Sequence, residues 1–188
     1  MNRLLPSNYH GEKYGLTYRF VQESDADFIY KLRSDATLSK YIHDIKGGVE
    51  QQVEWIKQYK QREKKGEEYY FIFFQKDSPV GLFRLYSFHE DTYTGGSWVM
   101  VPDSPVEVVL AVPLIMRELA FDDLGMKLED NYDATHVDNK KVIKFNEMFG
   151  CKTYKHFMDV KGEYIATRLT KEDFEANKTR LIKLLSFE

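Results

Sequence analysis

Between Tyr69 and Val101 the chain carries three apolar runs rich in aromatic and β-branched residues: Tyr69 to Gln75, Val80 to Phe88 and Gly95 to Val101. The polar turns Lys76-Asp77-Ser78-Pro79 and Glu90-Asp91-Thr92 separate them. Connections this short join neighbouring strands only in antiparallel fashion, so the spacing predicts a three-stranded meander. Such a sheet must be covered, and the flanking segments decide with what.

Upstream, a polar arm over residues 1–15 leads into an alternating strand from Leu16 to Val21. Ser24 reads as a helix N-cap before the acidic Asp25 and Asp27, with Phe28, Ile29 and Leu32 on the inner face. After the break at Gly47-Gly48, Val49, Val53, Ile56 and Tyr59 recur at helical spacing until the cationic run Arg62 to Lys65 and Gly66 close that helix. Downstream come a long helix from Pro105 to Asp123, a strand near Tyr132 to Thr135, a short helix ending at Gly150, and strands around Thr153 to Asp159 and Glu163 to Leu169. The Thr170 to Asp173 capping pattern opens a C-terminal helix over 170–188. The order β-α-α-β-β-β-α-β-α-β-β-α describes an α+β fold, a mixed and mostly antiparallel twisted sheet flanked by helices. With no linker-like stretch and no internal repeat, residues 1–188 are expected to form one domain.

Several functions are disfavoured at this level. The 27 Lys and Arg nearly balance the 30 Asp and Glu for a formal charge of -3, which argues against coating a nucleic acid. The longest apolar run, Val108 to Met116, is about half of the roughly 20 residues that span a bilayer and contains Pro113, so no membrane partner is expected. The first residues lack a secretory pattern, and a cytoplasmic location is expected. Cys151 is the single cysteine and the five histidines show no His-x-His or His-Glu-x-x-His pairing, so neither a disulfide nor a metal is expected to hold the fold.

Two segments carry chemistry. Trp98 to Val101 runs almost directly into Ser104-Pro105-Val106-Glu107, a capping box with proline at the first helical position. A helix opening off a strand end aims unpaired N–H groups and its positive end outward, which suits a pyrophosphate. The same pattern also serves an ordinary capped helix, and the Glu107 carboxylate competes for those amides. The second segment is Asn139-Lys140-Lys141-Val142-Ile143-Lys144-Phe145-Asn146-Glu147-Met148-Phe149-Gly150-Cys151, where Val142, Phe145 and Phe149 form one stripe and Gly150 a left-handed cap.

With its preceding strand, this second segment resembles the pattern Asn-x-x-Ser-x-x-Leu-x-Glu-x-Leu-Gly-Phe of the GNAT N-acetyltransferases. Asn139, Phe145, Glu147, Phe149 and Gly150 fall in register, and the element order resembles that fold along nearly the whole chain. Gly81-Leu82-Phe83-Arg84-Leu85-Tyr86, Gly96-Ser97-Trp98-Val99 and Gln52-x-x-Trp55-Ile56 look like a branch found with bacterial surface-polysaccharide genes, whose members acetylate an amino sugar on a nucleotide carrier. Protein N-terminal acetyltransferases of the RimJ/RimL type share the helical pattern.

The resemblance implies transfer from acetyl-CoA to a primary amine, with two splayed central strands receiving the cofactor. The pantetheine arm would pair with the backbone of Val99, Met100 and Val101, the pyrophosphate would sit at Ser104 and Val106, Asn139 would hold the arm, and Lys141 and Phe145 would flank it. Tyr41, His43, Arg84, Tyr86 and Trp98 are the implied acceptor contacts. For the proton on the attacking amine, His136 is the first candidate base and Asp133 the second. His136 also reads as a partly exposed loop histidine, and Arg84 as an outward, solvated sheet residue.

This chain departs from the family pattern in its Pro102 to Val108 loop, which contains no glycine, and in Asn146, which stands where many members carry the tyrosine that protonates the CoA thiolate. Val142 and Cys151 replace the usual Ser and Phe; Cys151 reads as a small core residue rather than a nucleophile. A non-catalytic acyl-CoA-binding module is the reading of a different class, and the sheet edges could support a homodimer.

Overall fold

The structure, a computed structural model, describes residues 4–35, 37–38, 41 and 47–185. Eight strands form one sheet: β1 (His10–Lys13), β2 (Leu16–Phe20), β3 (Tyr69–Gln75), β4 (Ser78–His89), β5 (Thr92–Met100), β6 (Leu128–His136), β7 (Lys152–Asp159) and β8 (Gly162–Thr170). Their order across the sheet is β1-β2-β3-β4-β5-β6-β8-β7. Every neighbouring pair is antiparallel except β5 and β6, which are parallel. The helices are α1 (Ala26–Ser34), α2 (Val49–Lys64), α3 (Val106–Glu118), α4 (Lys140–Phe149) and α5 (Lys171–Lys183).

The meander forms as its patterning predicts, and β3 explains why that run is apolar almost without interruption. Tyr70 and Ile72 pack with α1 and α2, together with Ile29, Ile56, Tyr59, Leu82 and Val99. Their neighbours Tyr69, Phe71 and Phe73 pack on the other face with residues of α3, α4 and α5. A strand covered on both sides has no solvent face on which to alternate. Helix α3 is buried on nearly its whole circumference from Val108 to Glu118, so it forms the centre of the larger core.

Three local expectations are corrected. The polar arm is not wholly an arm, because His10–Lys13 pairs with β2 through the turn Tyr14-Gly15, both at positive φ, giving a two-residue hairpin. Ser24 does not cap α1; it lies in a single 3-10 turn, Glu23–Asp25, where Asp25 accepts from the Gln22 amide and from the Arg19 guanidinium. The long helix ends as an α-helix at Glu118 and continues as a π-helical turn, Leu119–Asp123. At the C-terminal end Thr170 caps α5 as expected, accepting from the Asp173 amide at 3.0 Å.

Candidate active site

The parallel pair β5 and β6 touches over only two positions, Thr92 opposite Leu128 and Tyr93 opposite Glu129. Beyond them β5 stays with β4 and β6 stays with β8, so a wedge opens between the two strands toward their C-terminal ends. Two side-chain bonds bridge it just past its closed end: the Thr94 hydroxyl donates to the Asp130 carbonyl at 2.9 Å, and the Gly95 amide donates to Asn131 Oδ1 at 3.2 Å. From Gly96 to Met100 the side of β5 away from β4 has no strand partner among the described residues.

A bulge sits on this free stretch. Leu82 faces Val99 while Arg84 faces Gly96, so Phe83 is opposed by both Ser97 and Trp98, and Ser97 takes φ 48°. Beyond the bulge the Val101 amide donates to the Val80 carbonyl at 2.8 Å. Strand alternation therefore directs the backbone of Val101 and Val99 toward β4 and that of Met100 toward the wedge. Of the three residues expected to pair with a cofactor arm, Met100 is the one whose N–H and C=O face the opening.

Helices α3 and α4 both begin at the mouth, each following one wall of the wedge. The capping box expected at Ser104 is not realised. The Ser104 hydroxyl donates to the Val101 carbonyl at 2.6 Å, Pro105 is the residue preceding the first helical turn, and no side chain caps the helix. The first N–H groups of α3, starting at the exposed Val106, therefore lack an internal side-chain acceptor. Asn139 precedes α4 without capping it, and its half-buried side chain makes no hydrogen bond among the described residues. Lys141 is exposed beside it, while Phe145 reaches across to Trp98 with ring centroids 4.9 Å apart.

The closed end holds a buried polar network that sequence reading missed. Arg117 of α3 donates from Nε and Nη2 to the two carboxylate oxygens of Glu129, at 2.8 and 3.0 Å, and both side chains are essentially sealed from solvent. Tyr93 donates to Glu129 at 2.9 Å and Asn131 at 2.8 Å. Burial disfavours the Glu129 charge, but the guanidinium and these donors hold its carboxyl below the ordinary carboxylate range. Arg117 Nη2 also donates to Asn146 Oδ1 at 3.1 Å. Cys151 lies in the same cluster, its Sγ 3.7 Å from Nη2. Burial pushes its thiol up to about 12, so it is a protonated packing residue.

His136 is at the mouth, but both its ring nitrogens are engaged. The Asp138 amide donates to Nδ1 at 3.1 Å, with the Asp138 carboxylate 3.8 Å away, and Nε2 faces the Lys161 carbonyl at 3.3 Å, an arrangement that a neutral ring with its proton on Nε2 satisfies. The lone pair that a base requires is occupied, and the ring instead secures the turn into Asn139, whose amide donates to the His136 carbonyl. Asp133 lies on β6 in the stretch between Asn131 and Thr135 where the register with β8 slips.

Among the expected acceptor contacts, Tyr41 packs its ring 5.3 Å from that of His136, whereas His43 lies outside the described residues. Arg84 points to the α1/α2 face. There it pairs with the buried Glu68, which also accepts from Arg62 at 2.6 Å, and its guanidinium lies over the rings of Trp55 and Tyr86 at 5.5 and 4.6 Å. It is thus a half-buried, paired arginine rather than the free anion-binding fork that an inward arginine could have been. A separate groove of about 660 Å³ bordered by His10, Thr17, Tyr18, Arg19, Phe74 and Asp77 lies at the opposite end of the sheet. Its arginine is committed to Asp25.

Comparison with known proteins agrees with this geometry. A family model described as acetyltransferase (GNAT) domain matches residues 16–152. No curated protein matches the chain by sequence. Among solved structures, FdhC, described as a nucleotide-linked sugar GNAT, superposes with a TM-score of 0.81 at 33% identity, covering 95% of this chain and 99% of its own. Spermidine N-acetyltransferase from Vibrio cholerae, in complex with CoA and spermine, gives 0.74 at 14% identity over 87% of this chain and 99% of its own. RimJ from Mycobacterium smegmatis, in complex with CoA-disulfide, gives 0.77 at 11% identity over 90% of this chain and 88% of its own. The last two likenesses concern the fold.

Proposed function

Because the chain belongs to the GNAT acetyltransferase family, we propose that its wedge takes the pantetheine arm of acetyl-CoA and that the acetyl group passes to the primary amine of an amino sugar on a nucleotide carrier. The chain is an N-acetyltransferase with acetyl-CoA as co-substrate. The observation that carries the site assignment is the separation of β5 from β6 after two paired residues, with the uncapped start of α3 at the mouth. An extended amide-containing arm pairs with the Met100 N–H and C=O, the pyrophosphate meets the first N–H groups of α3, and the Asn139 side chain holds the arm from α4. Lys141 supplies positive charge at the mouth.

In the reaction the neutral amine attacks the thioester carbonyl, a tetrahedral oxyanion forms, and its collapse breaks the C–S bond and releases CoA thiolate. The amine must give up a proton, which we assign to Asp133 directly or through water, because the His136 lone pair is occupied. His136→Ala is therefore expected to keep turnover within a few-fold and to retain the rising limb of the pH profile, while Asp133→Asn loses that limb. The reverse pattern would return the role to His136.

The acceptor assignment rests on the likeness to a nucleotide-linked sugar acetyltransferase along nearly the full length of both chains. The α1/α2 face offers the half-buried rings of Trp55 and Tyr86, with the Glu68-paired Arg84 guanidinium stacked over both, a flat surface suited to stacking by a base or sugar ring. A thiol-release assay with nucleotide-linked 3- and 4-amino sugars, free amino sugars, N-terminal peptides and spermidine tests it. The nucleotide-linked sugars should lead in kcat/KM by about two orders of magnitude, since the nucleotide supplies binding energy at a distance from the reacting centre. A lead for peptide or polyamine would overturn it.

A further inference from the structure

Two neighbouring glycines, Gly95 and Gly96, stand in β5 where the wedge opens. Glycine weakens the interior of a strand, so each position needs a reason. Neither residue has a positive φ, and the backbone therefore does not demand glycine at either. The reason lies in what a side chain would meet. A Cβ at Gly95 would point to the α3 face, 3.2 Å from Glu129 Oε1 and from the Phe83 ring, within the buried network. A Cβ at Gly96 would point the other way, to the α1/α2 face, 3.0 Å from Cε1 and Oη of Tyr86.

Tyr86 pairs with Thr94 in the β4–β5 register, diagonal to Gly96, and its ring leans along the sheet until the phenol end takes the place of a side chain at 96. Arg84, directly opposite Gly96, lays its guanidinium 4.6 Å from the Tyr86 ring centroid. That guanidinium is held by the buried Glu68 and lies over Trp55, which stacks in turn on the buried Tyr59. The ring is thus closed off on the α2 side. Gly96 stays half-exposed all the same, and it opens the stretch of β5 that has no partner on the β6 side among the described residues. A phenol ring fixed beside bare backbone at the lip of the wedge is a floor for a ring-shaped guest whose amine has to reach that wedge.

We propose that the sugar of the acceptor stacks on Tyr86 and that Gly96 is the positioning residue that keeps the Tyr86 ring in place, so that the side chain at position 96 sets selectivity for the acceptor. The proposal rests on the amino-sugar reading above. A methyl group at 96 presses on the phenol end, while Arg84, Trp55 and Tyr59 resist retreat toward α2. The ring then shifts over the exposed backbone, into the space the sugar takes. Stacking uses the face of the ring, so the Tyr86 hydroxyl is not required for it.

The test is steady-state kinetics of the full-length protein with the nucleotide-linked amino sugar that leads the panel above. Gly96→Ala should raise the KM for that sugar about tenfold, the worth of one aromatic contact, while the KM for acetyl-CoA and kcat stay within a few-fold of wild type. Tyr86→Leu should raise the sugar KM by about the same factor, whereas Tyr86→Phe, which keeps the ring, should stay close to wild type. The double variant Gly96→Ala with Tyr86→Leu should be no worse than Tyr86→Leu alone, because no ring remains for the methyl group to displace. A strand merely damaged at 96 would shift both Michaelis constants and lower the melting temperature, and that pattern would overturn the proposal. So would a sugar KM left at the wild-type value by Gly96→Ala or Tyr86→Leu, or a double variant showing the product of the two single effects; in each of these cases the acceptor reading still stands. If a peptide or spermidine leads the panel instead, the acceptor reading falls and the proposal with it.

Discussion

Replacing Glu129 by alanine should lower the melting temperature by roughly 10–15 °C, the largest stability loss expected from any single polar substitution in this chain. The substitution leaves the Arg117 guanidinium, 2% exposed, without its counter-charge. It also strips Tyr93 and Asn131 of the carboxylate they donate to. Breaking one partner of a buried ion pair costs about 3–5 kcal/mol, and a domain of this size loses about 2–4 °C per kcal/mol. By contrast, removing the exposed Asp27–Lys31 pair on α1 should be almost silent.

The pH dependence has a definite sign. The folded Glu129 carboxyl titrates below its unfolded value, so its contribution is present above the ordinary carboxylate range and is lost as pH falls through the depressed folded value. The double replacement Arg117→Met with Glu129→Leu should recover most of the stability, because it removes both charges at once. Thermal melts of the single and double variants, each across pH, check this. A fall of less than about 3 °C for Glu129→Ala would mean that the network is not what ties β5, β6, α3 and α4 together.

The elements were legible where burial imposes a period. The meander, the stripe of Val142, Phe145 and Phe149 on α4, and the Thr170 cap follow directly from side-chain spacing, since each places apolar groups on a face that must be covered. Strand β1 escaped because it lies at the sheet edge with little buried surface, leaving its residues free to be polar; the Tyr14-Gly15 turn was the available signal. The capping box at Ser104 was a misreading of a local competition. A serine hydroxyl can close the turn behind it or cap the helix ahead, and here it donates back to Val101.

The site was legible in outline but not in its chemistry. The strand-to-helix junction at Val101 to Val106 and the position of Asn139 could be picked out along the chain, although the separation of the strands came only through family resemblance. The network of Tyr93, Arg117, Glu129, Asn131 and Asn146 could not be read, because its members come from four elements that only the fold brings together; Asn146 stood out as a departure from the family pattern, but not its bond to Arg117. His136 could be located but not its bonds, which depend on the Asp138 amide and the Lys161 carbonyl brought in by the fold.

The central claim, that the uncapped start of α3 receives the cofactor pyrophosphate at the mouth of the wedge, is tested most directly by calorimetric titration of acetyl-CoA into wild type, Val106→Asp and Val106→Asn. Val106 is 72% exposed at the first turn of α3, so aspartate fits without repacking, and its charge favours the helix end by about 0.3–1 kcal/mol. The ligand-free variant should therefore melt no lower than wild type. If the pyrophosphate binds there, the same carboxylate would lie about 5 Å from it, and repulsion of roughly 3 kcal/mol at an effective dielectric near 20 should weaken acetyl-CoA binding by about 10²-fold, less at high salt. Val106→Asn, with the shape but not the charge, should bind within a few-fold of wild type. The account predicts one acetyl-CoA per wild-type chain, a ligand-free Val106→Asp protein at least as stable, and that selective loss of affinity. No binding heat with wild type, or equal affinity for wild type and Val106→Asp, would contradict it.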